Sequence, residues 1–225
     1  MSEAGLARRL TAEAVGTALL LAAVVGSGIM GDRLAGGNVA VALLANTLAT
    51  GAALVALTLA FGPISGAHFN PAVSLAEAGQ GSLPWREAPA YLAVQVAGAF
   101  AGVAVAHGMF SLPLFSASRH ARAGGAQLLS EFVATFGLLA VIWGCTRRPP
   151  TAVAFAVGGY VTAAYWFTAS TSFANPAVTL ARSATDTFTG IRPADAPGFL
   201  AAQLAGAVAA TVLFRWLLPA RGTQP

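Results

Sequence analysis

The sequence has little charge. Of its 225 residues, 8 are acidic and 12 are basic, so 9% are charged, whereas a soluble domain usually carries about 25% charged residues. Hydrophobic residues make up 56% of the chain and the mean hydropathy is +0.71. This composition excludes an ordinary soluble domain and predicts a membrane protein.

Lysine is absent and cysteine is nearly so. The single cysteine, Cys145, excludes an internal disulfide. All twelve basic residues are arginine, and the net charge of +4 is spread over segments that flank apolar runs, which argues against a nucleic-acid partner. No grouping of histidine, cysteine and carboxylate side chains suits an active site. We therefore expect no enzymatic activity, no cofactor and no metal site.

Long apolar runs dominate what is present. Six of them approach the roughly 20 residues that span a bilayer as a helix. The first follows the basic stretch "LARRL" and could be a signal peptide, but it is too long and lacks a clear cleavage site, so we expect a retained helix. The predicted spans lie near residues 10–30, 39–61, 88–110, 126–145, 151–169 and 197–218.

The distribution of arginine predicts the orientation in the membrane. Cytoplasmic loops are enriched in basic residues. With the N-terminus inside, both termini are cytoplasmic, and most flanking arginines fall on the same side, although Arg119 and Arg122 do not. The arginines on the predicted cytoplasmic side are Arg8, Arg9, Arg86, Arg147, Arg148 and Arg221.

One short motif occurs twice, as "GAHFNPAVSL" at 66–75 and as "TSFANPAVTL" at 171–180. Each asparagine suits a helix N-cap, and each proline suits the first helical position. The helical stretches that follow, 71–79 and about 176–187, cross only about half a membrane at 1.5 Å per residue. Irregular backbone at membrane depth must be buried in protein or line a water-filled cavity. The motifs therefore predict two re-entrant half-helices around a pore.

The chain also repeats itself with inverted topology. Asn70 pairs with Asn175, Glu13 with Glu131 and Gln95 with Gln203, at separations of 105, 118 and 108 residues. Each half contains three spans, so the second half enters the membrane from the opposite face. We expect one channel domain over 1–225, with repeats at about 8–110 and 126–218.

In this arrangement the two half-helices meet with their N-termini at the centre of the membrane. Helix N-termini carry partial positive charge and unpaired N–H groups. Cations would be repelled there, whereas a neutral hydroxylated solute would find hydrogen-bond donors. The sequence therefore predicts a passive pore for small uncharged solutes.

The paired motifs, the Glu-x-x-x-Thr starts of the first and fourth spans and "SGAHFNPAV" resemble the aquaporin, or major intrinsic protein, family. The resemblance implies an all-α membrane protein with a right-handed bundle of six transmembrane helices and two half-helices. It also implies a homotetramer with one pore per subunit. Glu13 and Glu131 would be buried carboxylates bonded to the re-entrant loops rather than proton relays, and His68 would face the cytoplasmic vestibule. The implied pore motif comprises Asn70, Pro71, Ala72, Asn175, Pro176 and Ala177.

The predicted selectivity filter departs from the familiar family pattern. The arginine that usually follows the second Asn-Pro-Ala is Val178 here. The other positions, carried over by their distance from the asparagines, are Thr50, Ala163 and Ser172. None is large, charged or aromatic, so we expect a wide opening. Arg182, one turn beyond Val178, is interpreted as a packing or loop-pairing residue rather than a substitute filter charge.

A wide, uncharged filter suits glycerol, water, urea and neutral metalloid hydroxides. The valine resembles a branch of bacterial aquaglyceroporins associated with arsenic, in the plasma (inner) membrane, which conduct arsenite as neutral As(OH)3 and methylated arsenicals. A strict water channel is the alternative that the small filter residues oppose. A coupled secondary transporter is opposed by the lack of a carboxylate beside Asn70 or Asn175.

Overall fold

The computed structural model describes residues 4–145 and 148–218, and within these ranges the chain is helical. Arg147 and Arg221, two of the arginines from which the membrane orientation is predicted, lie outside the described residues. The helices are α1 (Leu6–Leu34), α2 (Val39–Ser65), α3 (Pro71–Gln80), α4 (Ala88–Met109), α5 (Gly125–Cys145), α6 (Pro150–Phe167), α7 (Pro176–Arg182) and α8 (Ala196–Leu217), with a 3-10 turn at Pro193–Asp195.

Six long helices match the six predicted spans. In the described part of the chain, α1, α2, α4, α5 and α8 are long and apolar enough to cross a membrane. Helix α6 has 18 residues, near the lower limit for a span. Both α3, with 10 residues, and α7, with 7, are too short to cross. Helix α7 ends at Arg182 rather than near 187 as predicted, because Ser183 caps it and its Oγ donates to the Leu180 carbonyl at 2.6 Å.

The two ends of the bundle are held by polar contacts between helix termini and loops. At the end where α1 begins and α8 ends, called the termini face, Arg9 and Glu87 pair at 2.8 Å. At the opposite end, called the far face, the loop at 110–124 bonds to the loop at 183–195 through Ser116 N and Ala184 O at 2.9 Å. The end of α3 bonds to Arg215 near the end of α8, and the end of α7 bonds to the loop at 183–195, so the two half-helices run toward opposite faces.

The halves pack alike around the centre. Helix α1 packs on α2 and α4, and α5 packs on α6 and α8 in the same pattern. Glycine permits the closest approaches: a Cβ at Gly98 would stand 2.4 Å from the Ala14 carbonyl oxygen, and one at Gly206 would stand 2.5 Å from that of Phe132. Each glycine lies three residues after the paired glutamines, so the repeat extends to packing.

Candidate functional site

The two Asn-Pro-Ala motifs begin the half-helices. Asn70 Oδ1 accepts a hydrogen bond from Ala72 N at 2.9 Å, and Asn175 Oδ1 accepts from Ala177 N at 3.0 Å and Val178 N at 3.3 Å. Both asparagines have extended backbone, and the proline after each lacks an N–H that would need a partner. The capping predicted from the motif is therefore present at both helices.

Each asparagine also reaches across to the other motif. Asn70 Nδ2 donates to the Ala174 carbonyl at 2.8 Å, and Asn175 Nδ2 donates to the Phe69 carbonyl at 2.8 Å. This reciprocal pair joins the two half-helix N-termini at the centre of the molecule. Each amide uses one of its two N–H groups in this bond, so the other remains to meet a solute.

The loops before the asparagines adopt left-handed backbone at non-glycine residues. The φ angles are +51° at Ala67 and +50° at Phe69, and +50° at Ser172 and +48° at Ala174. In each motif, one of these residues lies three positions before the asparagine and the other lies one position before it. Such conformations cost on the order of 1–3 kcal/mol each and persist only where surrounding contacts hold them.

The buried carboxylates supply those contacts. Glu13 accepts from His68 N at 3.0 Å and from Phe69 N at 2.7 Å. Glu131 accepts from the backbone N–H groups of residues 173–174, both at 2.9 Å. Neither carboxylate is exposed. Each is placed to hold the strained loop of its own repeat.

Two glutamines complete this arrangement. Gln95 Nε2 donates to the carboxylate of its own repeat and to Ser74 Oγ, both at 2.8 Å. Gln203 Nε2 does the same, at 2.6 Å to the carboxylate and 2.8 Å to Thr179 Oγ1. Both glutamines are fully buried. The repeat in the sequence pairs these glutamines, but it does not indicate that they bond to the carboxylates.

A cavity of about 230 Å³ runs along the motifs. Asn70 and Asn175 line it, together with the loop residues that precede them. The opposite wall, from α1, α2, α5 and α6, is mainly apolar, with Thr50, Thr58 and Tyr165 as polar exceptions. It includes Leu20, Val24, Leu54, Leu138, Val157 and Val161. A passage with one polar wall and one mainly apolar wall suits small solutes that carry a few hydroxyl groups.

Three of the four predicted filter residues lie at this cavity. Thr50, Ser172 and Val178 line it and are 2%, 3% and 6% exposed. Ser172 Oγ has no hydrogen-bond partner among the described residues, so it is free to bind a solute. Thr50 Oγ1 accepts from the Tyr165 hydroxyl at 3.3 Å.

The structure corrects the fourth filter residue. Ala163 is exposed on the face of α6 that points away from the cavity, whereas Val161 and Tyr165 face inward. A residue two positions along a helix is rotated by about 200°, so 163 cannot share a face with 161 and 165. An aromatic side chain, that of Tyr165, therefore lines the cavity near the predicted filter positions, contrary to prediction. Residues 157, 161 and 165 share one helix face by their spacing, but the sequence does not say that this face meets the cavity.

His68 lines the cavity on the side toward the termini face. Its Nδ1 lies 3.0 Å from Ser74 Oγ, and its ring lies 5.4 Å from that of Tyr91. Arg182 also lines the cavity, although it is 2% exposed. It makes the predicted loop contact, because its Nε donates to the Thr189 carbonyl.

Ion pairs fix the far-face loops. The backbone N–H of Arg119 at 2.9 Å and its side chain at 2.7 Å hold the pKa of Asp186 below its ordinary value. The Arg192 side chain likewise lowers the pKa of Asp195. Burial lowers the pKa of Arg122, which bonds to the carbonyls of Gly190 and Ser170. The contacts of Arg119 and Arg122 join the loop at 110–124 to the loop at 183–195.

Comparisons with known proteins agree with this geometry. The family model described as major intrinsic protein matches residues 1–152. The chain is 61% identical over 222 residues to aquaglyceroporin AqpS of Rhizobium meliloti (strain 1021), covering 98% of this chain and 95% of that protein. It is 32% identical over 174 residues to aquaporin NIP3-1 of Oryza sativa subsp. japonica, covering 71% of this chain and 52% of that protein.

A solved structure shares the fold. The X-ray structure of the aquaglyceroporin from Plasmodium falciparum matches with a TM-score of 0.72, at 22% identity over 95% of each chain. This likeness confirms the predicted aquaporin-like, all-helical membrane fold. Together with the family match, it confirms a multi-pass membrane channel rather than an enzyme. The chain belongs to the major intrinsic protein family.

Proposed function

We propose that this chain is a passive channel for small uncharged solutes, including glycerol, water and trivalent metalloid hydroxides such as arsenite. The observation that carries the proposal is the uncharged ring of Thr50, Ser172 and Val178 beside the cross-bonded asparagines. Hydroxyl groups on one side and a methyl-bearing side chain on the other suit a solute with both polar and apolar surface.

The proposed filter comprises Thr50, Ser172 and Val178 from the original prediction, with Tyr165 in place of Ala163. The Tyr165 hydroxyl donates to Thr50, whereas Ser172 Oγ and the spare asparagine N–H groups have no partner among the described residues, so these groups are the solute's main hydrogen-bond partners. His68 is proposed to line the vestibule toward the termini face. Glu13 and Glu131 are proposed as scaffold, because their oxygens are occupied by backbone and glutamine N–H groups.

The single domain, its orientation and its assembly are also proposals. Residues 1–225 would form one channel domain of two inverted repeats, 8–110 and 126–218, supported by the matching contacts in the two halves. Arg8, Arg9 and Arg148 on the termini face support cytoplasmic termini in a bacterial plasma membrane. A homotetramer follows from the family resemblance, and native mass spectrometry would test it.

Flux through reconstituted proteoliposomes tests the function. We expect water, glycerol and arsenite to enter at rates that do not depend on an imposed ion gradient. Water flux without glycerol or arsenite flux would indicate a strict water channel, and gradient-dependent flux would indicate a coupled transporter.

A pair of variants in α6 tests the filter. Tyr165→Phe removes the hydroxyl that bonds to Thr50 and should alter the ratio of glycerol to water flux. Ala163→Val is the matched control, because residue 163 lies on the exposed face of the same helix. A change with Ala163→Val and none with Tyr165→Phe would restore the original filter assignment.

A further inference from the structure

Arg182 lies where two cavities meet. A second cavity, of about 260 Å³, opens at the far face, where Asn46, His120, Arg122 and Thr171 contribute to its wall. Among the described residues that line these two cavities, Arg182 is the one common to both. The Arg182 side chain therefore lies between the far-face cavity and the cavity at the asparagines.

The Arg182 guanidinium is held firmly at this junction. Its Nε donates to the Thr189 carbonyl, and its Cζ lies 3.4 Å from the centre of the Phe173 ring. Phe173 is fixed in turn by edge contact with Phe199 at 5.2 Å and by its backbone bond to Glu131. The two terminal amino groups of Arg182 make no hydrogen bond to the described residues, so water or a solute in the cavities must satisfy them.

The charge on Arg182 has no direct counter-charge. Within residues 4–145 and 148–218, the ion pairs join Arg9 to Glu87, Arg119 to Asp186 and Arg192 to Asp195, and Arg182 is in none of them.

A second arginine lies close by. Arg122 Cζ lies 5.1 Å from the same Phe173 ring, and the Arg122 side chain bonds to carbonyl groups rather than to a carboxylate. Two guanidinium groups therefore concentrate positive charge on the far-face side of the filter.

Building on the proposed channel function, we propose that Arg182 is the charge-selecting residue of this pore, with Arg122 as a secondary charge. Val178 and Arg182 are four residues apart on α7, so the backbone of Arg182 lies about 6 Å farther toward the far face. The pore then separates two tasks. The ring at Val178 sets the size of solute admitted, and Arg182 repels cations before they reach that ring. This inference gives Arg182 a role in charge selection beyond the packing and loop-pairing role predicted from the sequence.

The test compares leak of Na⁺ with flux of glycerol in the same proteoliposomes. Arg182→Gln keeps a polar side chain of similar reach and removes the charge, so we expect Na⁺ leak to rise about tenfold while glycerol flux changes less than about twofold. Arg182→Lys keeps the charge and should keep Na⁺ out. Arg33→Gln is the matched control, because it removes an exposed arginine at the far-face end of α1 that lines neither cavity. It should leave the leak unchanged.

The outcomes separate the inference from the proposed function. Arg182→Gln that conducts glycerol with a wild-type Na⁺ leak would overturn the inference alone. Wild-type protein that conducts neither glycerol nor arsenite would overturn the channel proposal. If Arg182→Gln does not assemble, Arg122→Gln provides the second test, with an expected leak increase of about twofold to threefold. A wild-type leak in assembled Arg122→Gln would then count against the proposal.

Discussion

The two half-helices are alike where they meet and differ where they end. Seven residues after the first asparagine, α3 carries Glu77, and seven residues after the second, α7 carries Arg182. Both side chains line the pore cavity, one toward each face. The repeat therefore places opposite charges at equivalent positions. Residues that both repeats share build the pore, whereas residues that differ between them give its two ends different chemistry.

The largest effect on solute flux is expected from changing either of the asparagines at which the two half-helices meet. In Asn70→Asp or Asn175→Asp the side chain loses its N–H, and a carboxylate oxygen faces the carbonyl that the amide bonded. We expect neutral-solute flux to fall at least about tenfold, equivalent to about 1.4 kcal/mol in the barrier, or the variant not to assemble.

Stopped-flow glycerol flux per assembled channel measures this effect. Asn38→Asp is the control, because Asn38 caps α2 through its oxygen, which aspartate retains. Wild-type flux through assembled Asn70→Asp or Asn175→Asp channels would show that the asparagines do not form the constriction.

The second prediction sharpens the difference between size and charge selection. Val178→Arg adds a bulky cation to the ring of Thr50, Tyr165 and Ser172. We expect glycerol and methylated arsenicals to lose about tenfold in flux while water loses no more than about twofold to threefold, because the narrower opening excludes larger solutes first.

Swelling assays for water and glycerol, beside arsenite uptake, measure these ratios. Val178→Leu adds bulk without charge and separates the two causes. An equal loss for every solute, or no loss, would mean that Val178 does not control selectivity.

The third prediction concerns the carboxylates that the repeats share. Glu131→Gln turns an amide donor toward backbone N–H groups that need an acceptor, at a cost of about 1–3 kcal/mol. We expect lower yield and a lower thermal midpoint in detergent, and the same for Glu13→Gln. The solute profile of each assembled channel should not change. A normal yield with altered selectivity would instead give these residues a transport role.

The smallest effect is expected at the far-face loop. The folded-state pKa of Asp186 lies below its unfolded value, so its stabilising contribution is present above the unfolded pKa of about 4 and is lost as pH falls through the folded pKa. Asp186→Asn should lower the thermal midpoint slightly at pH 7. Thermal melts at pH 7 and at about pH 3 measure the difference, which should shrink in acid. An equal difference at both pH values would show that the Asp186 charge is not its cause.

Local signals made much of the fold predictable. Apolar runs of spanning length marked the long helices, and the Asn-Pro pairs marked the starts of α3 and α7 because capping depends on neighbouring residues. The end of α7 was predicted five residues too late. Neither glycine nor proline follows Arg182 directly, and the helix stops because its last residues bond to the adjoining loop.

The sequence by itself determined the membrane class, the inverted repeat and the paired asparagines, because composition, span length and helix capping are properties of short stretches of chain. Only the tertiary structure decided that Tyr165 rather than Ala163 faces the cavity, since the irregular loop between α6 and Asn175 does not preserve helical phase. It also decided the place of Arg182. Whether a buried arginine packs or lines a pore depends on the cavity on each side of it, and those cavities form only when α7, the loop at 183–195 and the loop at 110–124 meet.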